Sequence, residues 1–271
     1  MKATVLGASG FIGRHLVRHL RKLKYTVATP DRKALKSLSG DLGDTFYCIG
    51  LTGNFRARPL STVDAHSGIL ADLLERCDFR SFVYFSSTRI YANAATPQET
   101  QEDALIKVRP SADTTYDLSK MLGEALCLSL DHPSVKVLRL SNVYGPDQSK
   151  ATFLGSLIGD LSTTGTACIL EAPDSSKDYI SIEDVVCLTE KIAQNGRHRI
   201  YNLASGRPIL HEEIAKTARA LGLACTFKPG GNWRSFPGIN ITRLQNEFGF
   251  MPKSLLEDLP SLLHAASSPT A

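Results

Sequence analysis

Apolar runs of strand length alternate with amphipathic stretches of helical period along most of this chain. Lys2–Leu6 reads as a short strand, and the stretch after it puts Ile12, Leu16, Val17, Leu20 and Leu23 on one helical face. Tyr25–Pro30, Thr45–Gly50, Phe82–Phe85, Val135–Leu140, Ala167–Leu170, Ile200–Leu203 and Cys225–Phe227 read as further strands, and Asp178–Ile182 as an extended segment. Helices are expected over Thr62–Cys77, with Leu70, Leu73 and Leu74 inward, and over Thr114–Leu130, with Leu118, Met121, Leu122, Leu126 and Leu128 as its apolar set. Others fall at Thr152–Leu161, from Glu183 to about Ala193, and at His211–Leu221, Ile241–Phe248 and Leu255–Ala265. Ala92–Ala112 is polar and aperiodic, a loop that could act as a lid. Strands alternating with helices predict an α/β fold whose sheet is mostly parallel and doubly wound.

Composition narrows the class. The chain has 271 residues, 42% hydrophobic and 21% charged, with a net charge of +4. That describes an ordinary soluble protein of one large domain or two intimate ones. No run of like charges suggests a nucleic-acid tail, and Arg18, Arg21, Lys22 and Lys24 read as a solvated helix face. Six cysteines are scattered without a CxxC pair. The expectation is reduced, buried thiols in a cytoplasmic protein, with no disulfide framework and no metal site. The N-terminus enters a strand at once, without the pattern of a signal peptide, and no apolar run reaches the ~20 residues of a membrane span.

Candidate chemistry starts with Gly7-Ala8-Ser9-Gly10-Phe11-Ile12-Gly13, between the first strand and the first helix. In this setting glycines serve a dinucleotide-binding turn: Gly7 for the sharp exit, Gly10 for close approach of a pyrophosphate, Gly13 for helix–strand packing. The N–H groups and positive dipole end of the helix then face the phosphates. Asp31, after the second strand, suits the ribose hydroxyls of NAD, whereas Arg32 could meet the extra phosphate of NADP, so both cofactors stay open. Thr52-Gly53-Asn54 falls near the expected cofactor edge. Tyr116 and Lys120 stand four apart on one helix and share a face. A nearby ammonium favours the phenolate, giving a proton acceptor near neutrality. Alone, such a pair also arises by chance as a half-buried Tyr beside a solvated Lys.

Taken in order, these segments resemble the extended short-chain dehydrogenase/reductase family, in its nucleotide-sugar epimerase/dehydratase branch. Gly7, Gly10 and Gly13 match the glycine turn. Ser86-Ser87-Thr88-Arg89-Ile90-Tyr91 resembles SSxxVY, Tyr116 and Lys120 match YxxxK, Leu138–Pro146 matches LRxxNVYGP, and Lys177–Asp184 resembles RDYIxVxD. The resemblance implies that Ser87, Tyr116 and Lys120 are catalytic. Ser87 would bind the reacting sugar oxygen, Tyr116 would exchange its proton, and Lys120 would hold the nicotinamide ribose. It places Ser9, Phe11, Ile12, Asp31 and Arg32 with the glycines at the cofactor, and Thr88, Asn142, Lys177 and Arg234 at the substrate. Asn142 could instead satisfy its own turn, and Lys177 and Arg234 could be plain surface charges.

The implied architecture is a dinucleotide-binding domain over 1–145 and about 178–204, and a small substrate lobe over about 146–177 and 205–271. The implied activity is that of an NAD(P)-dependent sugar-nucleotide epimerase or 4-ketoreductase. The family commonly dimerises through two helices per subunit, here Thr62–Cys77 and Thr114–Leu130. Several departures matter. Lys33–Asp44 is too short for the usual third strand and its helix. His66 stands where an Asn is usual. Thr88-Arg89 replaces the Asp-Glu of 4,6-dehydratases, which disfavours that reaction. Lys177 replaces an Arg and loses its bidentate fork. The competing class is a non-catalytic dinucleotide sensor that regulates a partner; such proteins tend to lose the Tyr or the Lys.

Overall fold

The computed structural model describes residues 1–51, 53 and 55–267. Chain order runs β1 (Lys2–Leu6), α1 (Phe11–Lys22), β2 (Thr26–Ala28), β3 (Gly40–Asp41), β4 (Asp44–Tyr47), α2 (Pro59–Val63), a π-helical turn (Asp64–Gly68), α3 (Ile69–Arg76), β5 (Cys77–Asp78) and β6 (Ser81–Ser87). Then come α4 (Thr115–Ser129), β7 (Val135–Leu140), β8 (Asn142–Tyr144), α5 (Phe153–Thr164), β9 (Thr166–Glu171), β10 (Ser176–Lys177), β11 (Tyr179–Ser181) and α6 (Ile182–Asn195). The chain continues with β12 (Ile200–Leu203), β13 (Ile209–Leu210), α7 (His211–Ala220), β14 (Ala224–Asn232), α8 (Thr242–Phe248) and α9 (Leu255–Ser267).

Six strands form one parallel sheet in the order β12-β7-β6-β4-β1-β2. Alternate residues of each strand serve opposite faces. Val5, Phe46, Val83, Phe85 and Leu138 pack with Leu16, Val17 and Leu20 of α1 and Val185 and Ile192 of α6. Leu6, Tyr47, Phe82, Tyr84 and Val137 pack with Leu70 and Leu73 of α3 and Cys127 of α4. The expected doubly wound α/β sheet is therefore present, and it ends at the three-residue β2. The brief Lys33–Asp44 link forms a 3-10 turn over Ala34–Ser37 and the two-residue β3, which pairs with β5 rather than extending the main sheet. A third apolar cluster lies apart, built by Tyr144, α5, Ile169, Ile209, α7, Cys225 and α9, with β9 paired to β14 at its side. Residues Ile239, Ile241, Leu244 and Phe250 pack with the first cluster instead.

Several expectations need correction. Leu23 lies just past the last turn of α1, as its C-cap, and is exposed. The apolar set of the central helix is only part of its docking face: Met121, Leu126 and Leu128 pack against the core from its edge. The face of α4 turned to the sheet carries Tyr116, Asp117, Ser119, Lys120, Gly123, Glu124 and Cys127, while Leu118, Met121, Leu126 and Leu128 are half-buried and Leu122 is exposed. Leu74 is half-buried. Cys77, Cys127 and Cys225 are buried, Cys48 and Cys187 half-buried, and Cys168 is exposed on β9, so the thiols are not uniformly sheltered. The Ala92–Ala112 stretch holds a 3-10 turn at Pro97–Thr100, whose Thr100 hydroxyl donates to Gly238 O at 2.9 Å. Thr52 and Asn54 lie outside the described residues.

Candidate active site

The glycine turn forms as its spacing dictates. Gly7 leaves β1 with φ +82°, and a Cβ there would stand 2.9 Å from the Cys48 carbonyl carbon. A Cβ on Gly13 would lie 2.3 Å from the Gly7 carbonyl oxygen, so only glycine lets α1 close on the turn. Gly10 donates its N–H to Gly7 O at 3.1 Å and caps α1 without a side chain, and no acid stands in the first helical turn. Ser9 and Gly10 are exposed, Phe11 and Ile12 half-buried. A backbone cradle with an uncapped helix start is a ready anion site. Asp31 is exposed beyond β2, but its Oδ1 already accepts the N–H groups of Lys33 and Ala34 at 2.9 and 2.8 Å. Arg32 beside it is exposed.

Ser87 ends β6, next to β4 and β7, and Tyr116 opens α4 across from it. The Tyr116 phenol lies close enough to the Ser87 side chain to be influenced by it, and Ser87 Oγ accepts the Arg89 N–H at 3.2 Å. Burial pushes the phenol up to about 12, while Ser87 pulls it down, Asp117 pushes it up and Arg89 pulls it down. Lys120 directs its ammonium elsewhere than to the phenol: its Nζ donates to Phe85 O at 2.7 Å and sits 5.1 Å from the Tyr84 ring centre. Burial lowers Lys120 to about 7, opposed first by Glu124. Glu124 in turn grips Arg139 of β7 at 2.7 Å, both side chains being almost wholly enclosed.

His66 turns inward from the π-helical turn. The wider turn frees carbonyls that two buried tyrosines take up: Tyr47 donates to Ala65 O at 2.8 Å and Tyr84 to His66 O at 3.1 Å. The Leu51 N–H points at His66 Nε2 at 3.4 Å, which assigns the proton to Nδ1. His66 Nδ1 then donates to Ser119 Oγ at 2.8 Å, and Ser119 donates to Tyr116 O at 2.8 Å. The His66 ring also stands edge-on to Tyr116, centroids 5.0 Å apart. Burial, helped by Lys120, drops His66 to about 2, so the imidazole is neutral. Phe55 packs against the other side of Tyr116, also at 5.0 Å, with Arg56 and Arg89 over its ring at 4.6 and 5.2 Å. Arg56 pairs with Asp113 and Arg89 with Asp117, at 2.8 and 2.9 Å.

The expected substrate residues divide. Thr88 is buried directly after Ser87. Asn142 is exposed, but its Nδ2 donates to Asp178 O at 2.8 Å, leaving Oδ1 as its outward group. Lys177 and Arg234 converge on one carboxylate: Glu171 Oε2 lies 2.9 Å from Lys177 Nζ, and Oε1 lies 4.0 Å from Arg234 Nε. Asp178, raised to about 6 by burial, accepts the N–H and hydroxyl of Ser205 at 2.8 and 3.0 Å and ties β10–β11 to the chain after β12. Phe55, Ser119 and Glu171 carried no signal in the sequence, because each enters the site through contacts remote along the chain.

The model of the NAD dependent epimerase/dehydratase family matches residues 3–56 and 46–204. The chain belongs to that family. A curated relative, dTDP-4-dehydro-6-deoxy-D-allose reductase of Streptomyces bikiniensis, is 24% identical over 262 aligned residues, covering 80% of each chain. Among solved structures, RMD from Pseudomonas aeruginosa complexed with NADPH superposes with a TM-score of 0.79 at 23% identity, over 99% of this chain and 100% of that one. MoeE5 in complex with UDP-glucose and NAD gives a TM-score of 0.80 at 23% identity, over 98% of each. These likenesses establish the epimerase/dehydratase fold. Within it, Arg89 takes the second position after Ser87 and is bound to Asp117, so no carboxylate from that position faces the site.

Proposed function

We propose that this chain carries out NAD(P)-dependent hydride transfer at a carbon of a nucleotide-linked sugar, as a 4-ketoreductase in the first instance. The observation that carries the reading is Tyr116 buried at the start of α4 beside the end of β6 at Ser87, with Lys120 buried one helical turn further on. A dinucleotide fits the chain's own residues: a Cβ would clash at Gly7 and Gly13 and would be tight at Gly10, Ser9, Phe11 and Ile12 are part of the same turn, and Asp31 and Arg32 are exposed after β2. When bound, the nicotinamide supplies or accepts the hydride. Ser87 hydrogen-bonds the reacting oxygen, and Tyr116 gives that oxygen its proton in reduction or takes it in oxidation. Lys120 holds the nicotinamide ribose by donation from Nζ. Thr88 and Asn142 contact the sugar, and Lys177 and Arg234 the diphosphate.

Reduction is preferred to epimerisation, and in that direction Tyr116 acts as the proton donor. The relatives named above include a reductase acting on a dTDP-linked keto sugar, which supports the same direction. The test is to supply 4-keto sugar nucleotides of the UDP, GDP and dTDP series with NADH or NADPH and follow absorbance at 340 nm. Oxidation of the dinucleotide that disappears in Tyr116→Phe is expected. Interconversion of sugar nucleotides without net consumption would make the protein an epimerase. Unchanged behaviour of Tyr116→Phe in every assay would leave a dinucleotide sensor.

The reading extends to organisation. The dinucleotide-binding domain takes 1–145 and about 178–204, and the substrate lobe about 146–177 and 205–271, with Ile239–Phe250 reaching back to the first core. A homodimer forms through α2, α3 and α4, which carry Leu60 and Leu122 in the open and Leu118 half-covered. The protein works in the cytoplasm; its cysteines are free, and among the described residues no helix is long and apolar enough to cross a membrane.

A further inference from the structure

Four elements of the smaller lobe meet around Glu171. It ends β9; Lys177 arrives from β10, His211 opens α7, and Arg234 follows β14. Lys177 Nζ also lies 4.2 Å above the Phe153 ring centre, and Phe153 stacks on His211 at 4.2 Å with 14° between the planes. His211 is fully buried, and neither ring nitrogen has a hydrogen-bond partner, although Glu171 Oε2 lies 3.5 Å from Nε2. Two cations and one carboxylate leave a single net positive charge. Arg234 keeps 53% of its side chain exposed, so the cluster opens to solvent on that side.

A cluster built only to staple the lobe would satisfy its buried polar atoms. This one leaves an imidazole without a partner beside two cations that share one anion. We propose that Glu171 is a resident anion in the diphosphate subsite of Lys177, Arg234 and His211, and that a substrate diphosphate binds by displacing it. The proposal rests on the nucleotide-sugar reading above and adds to it the residue that sets affinity and the imidazole that completes the site. Glu171 occupies Lys177 and Arg234 while the site is empty. On arrival, phosphate oxygens take over both cations and accept a hydrogen bond from His211. A carboxylate a few ångströms from the incoming phosphates opposes binding, and its removal relieves that repulsion.

The experiment measures calorimetric binding of UDP, GDP and dTDP to the wild-type chain, Glu171→Gln and Glu171→Ala, with uridine, guanosine and thymidine as uncharged controls. Both variants are expected to bind the best nucleoside diphosphate at least about tenfold more tightly than the wild type, an electrostatic gain of the size that one nearby charge gives. Affinity for the nucleosides stays unchanged. His211→Phe, which keeps the stack on Phe153, is expected to remove much of that gain when combined with Glu171→Gln. If the wild type binds a diphosphate and neither variant tightens, Glu171 is a structural partner, and this inference fails while the nucleotide-sugar reading stands. If neither the wild type nor any variant binds a diphosphate, both fail. A variant that melts lower without gaining affinity counts against the proposal in the same way.

Discussion

Burial does more to Tyr116 than any charge around it. The phenol stands at about 12, with Ser87 and Arg89 only partly offsetting the loss of water. In the proposed reaction it therefore starts protonated. Tyr116→Phe should lower kcat by a factor of about 10² to 10⁴, the usual worth of a positioned acid–base group, with the circular dichroism spectrum unchanged. His66 behaves differently. Its folded value of about 2 lies below the ordinary 6.5, so the folded state resists a proton that the unfolded chain accepts. Its contribution is complete above pH 6.5 and is lost as pH falls below that value. Urea unfolding from pH 7 to pH 4 should show a falling midpoint, and His66→Asn should flatten that fall. Lys120, lowered to about 7 from 10.5, adds stability as pH rises from about 7 towards 10.5, and Lys120→Met should remove that rise.

At the scale of the element, the central helix shows where sequence reading succeeds and where it stops. Ser87, Tyr116, Lys120 and the three glycines were legible because each sits at a fixed offset within one local element, or at a strand end beside it. The docking face of α4 was not. A count of apolar positions picks out Leu118, Met121, Leu122, Leu126 and Leu128, but the sheet offers this helix the Tyr84 hydroxyl, the Phe85 carbonyl and the Arg139 guanidinium. Polar Lys120 and Glu124, together with side-chain-free Gly123, answer them; a Cβ on Gly123 would lie 2.2 Å from the Tyr84 hydroxyl. The π-helical turn was equally hidden, since the hydroxyls that sustain it come from Tyr47 and Tyr84 on two other strands. The Glu124–Arg139 pair is the costly part of this face. Glu124→Ala strands a buried guanidinium and should destabilise the fold by about 3–5 kcal/mol. Replacing both partners with apolar residues should recover much of that loss, as thermal melts of the single and double variants would show.

The whole molecule packs a broad parallel sheet with its helices and, apart from it, a smaller apolar cluster around α5, α7 and α9. The exposed Leu122 of α4 is, in the proposed dimer, a contact for a second copy. Leu122→Glu should convert the proposed dimer to a monomer in light scattering at micromolar concentration, without changing the circular dichroism spectrum. The edge of the sheet has a separate consequence. Because the sheet stops at the three residues of β2 and the following link folds into a 3-10 turn, the proposed adenosine end would have no further strand and crossover helix on that flank among the described residues. A grip with one side missing shortens residence time. An epimerase must keep one dinucleotide through many turnovers, whereas a reductase must release it after each. The protein should therefore leave purification without a stoichiometric passenger and exchange added NAD(P)H within the time of a single turnover, which stopped-flow fluorescence of the reduced nicotinamide can time.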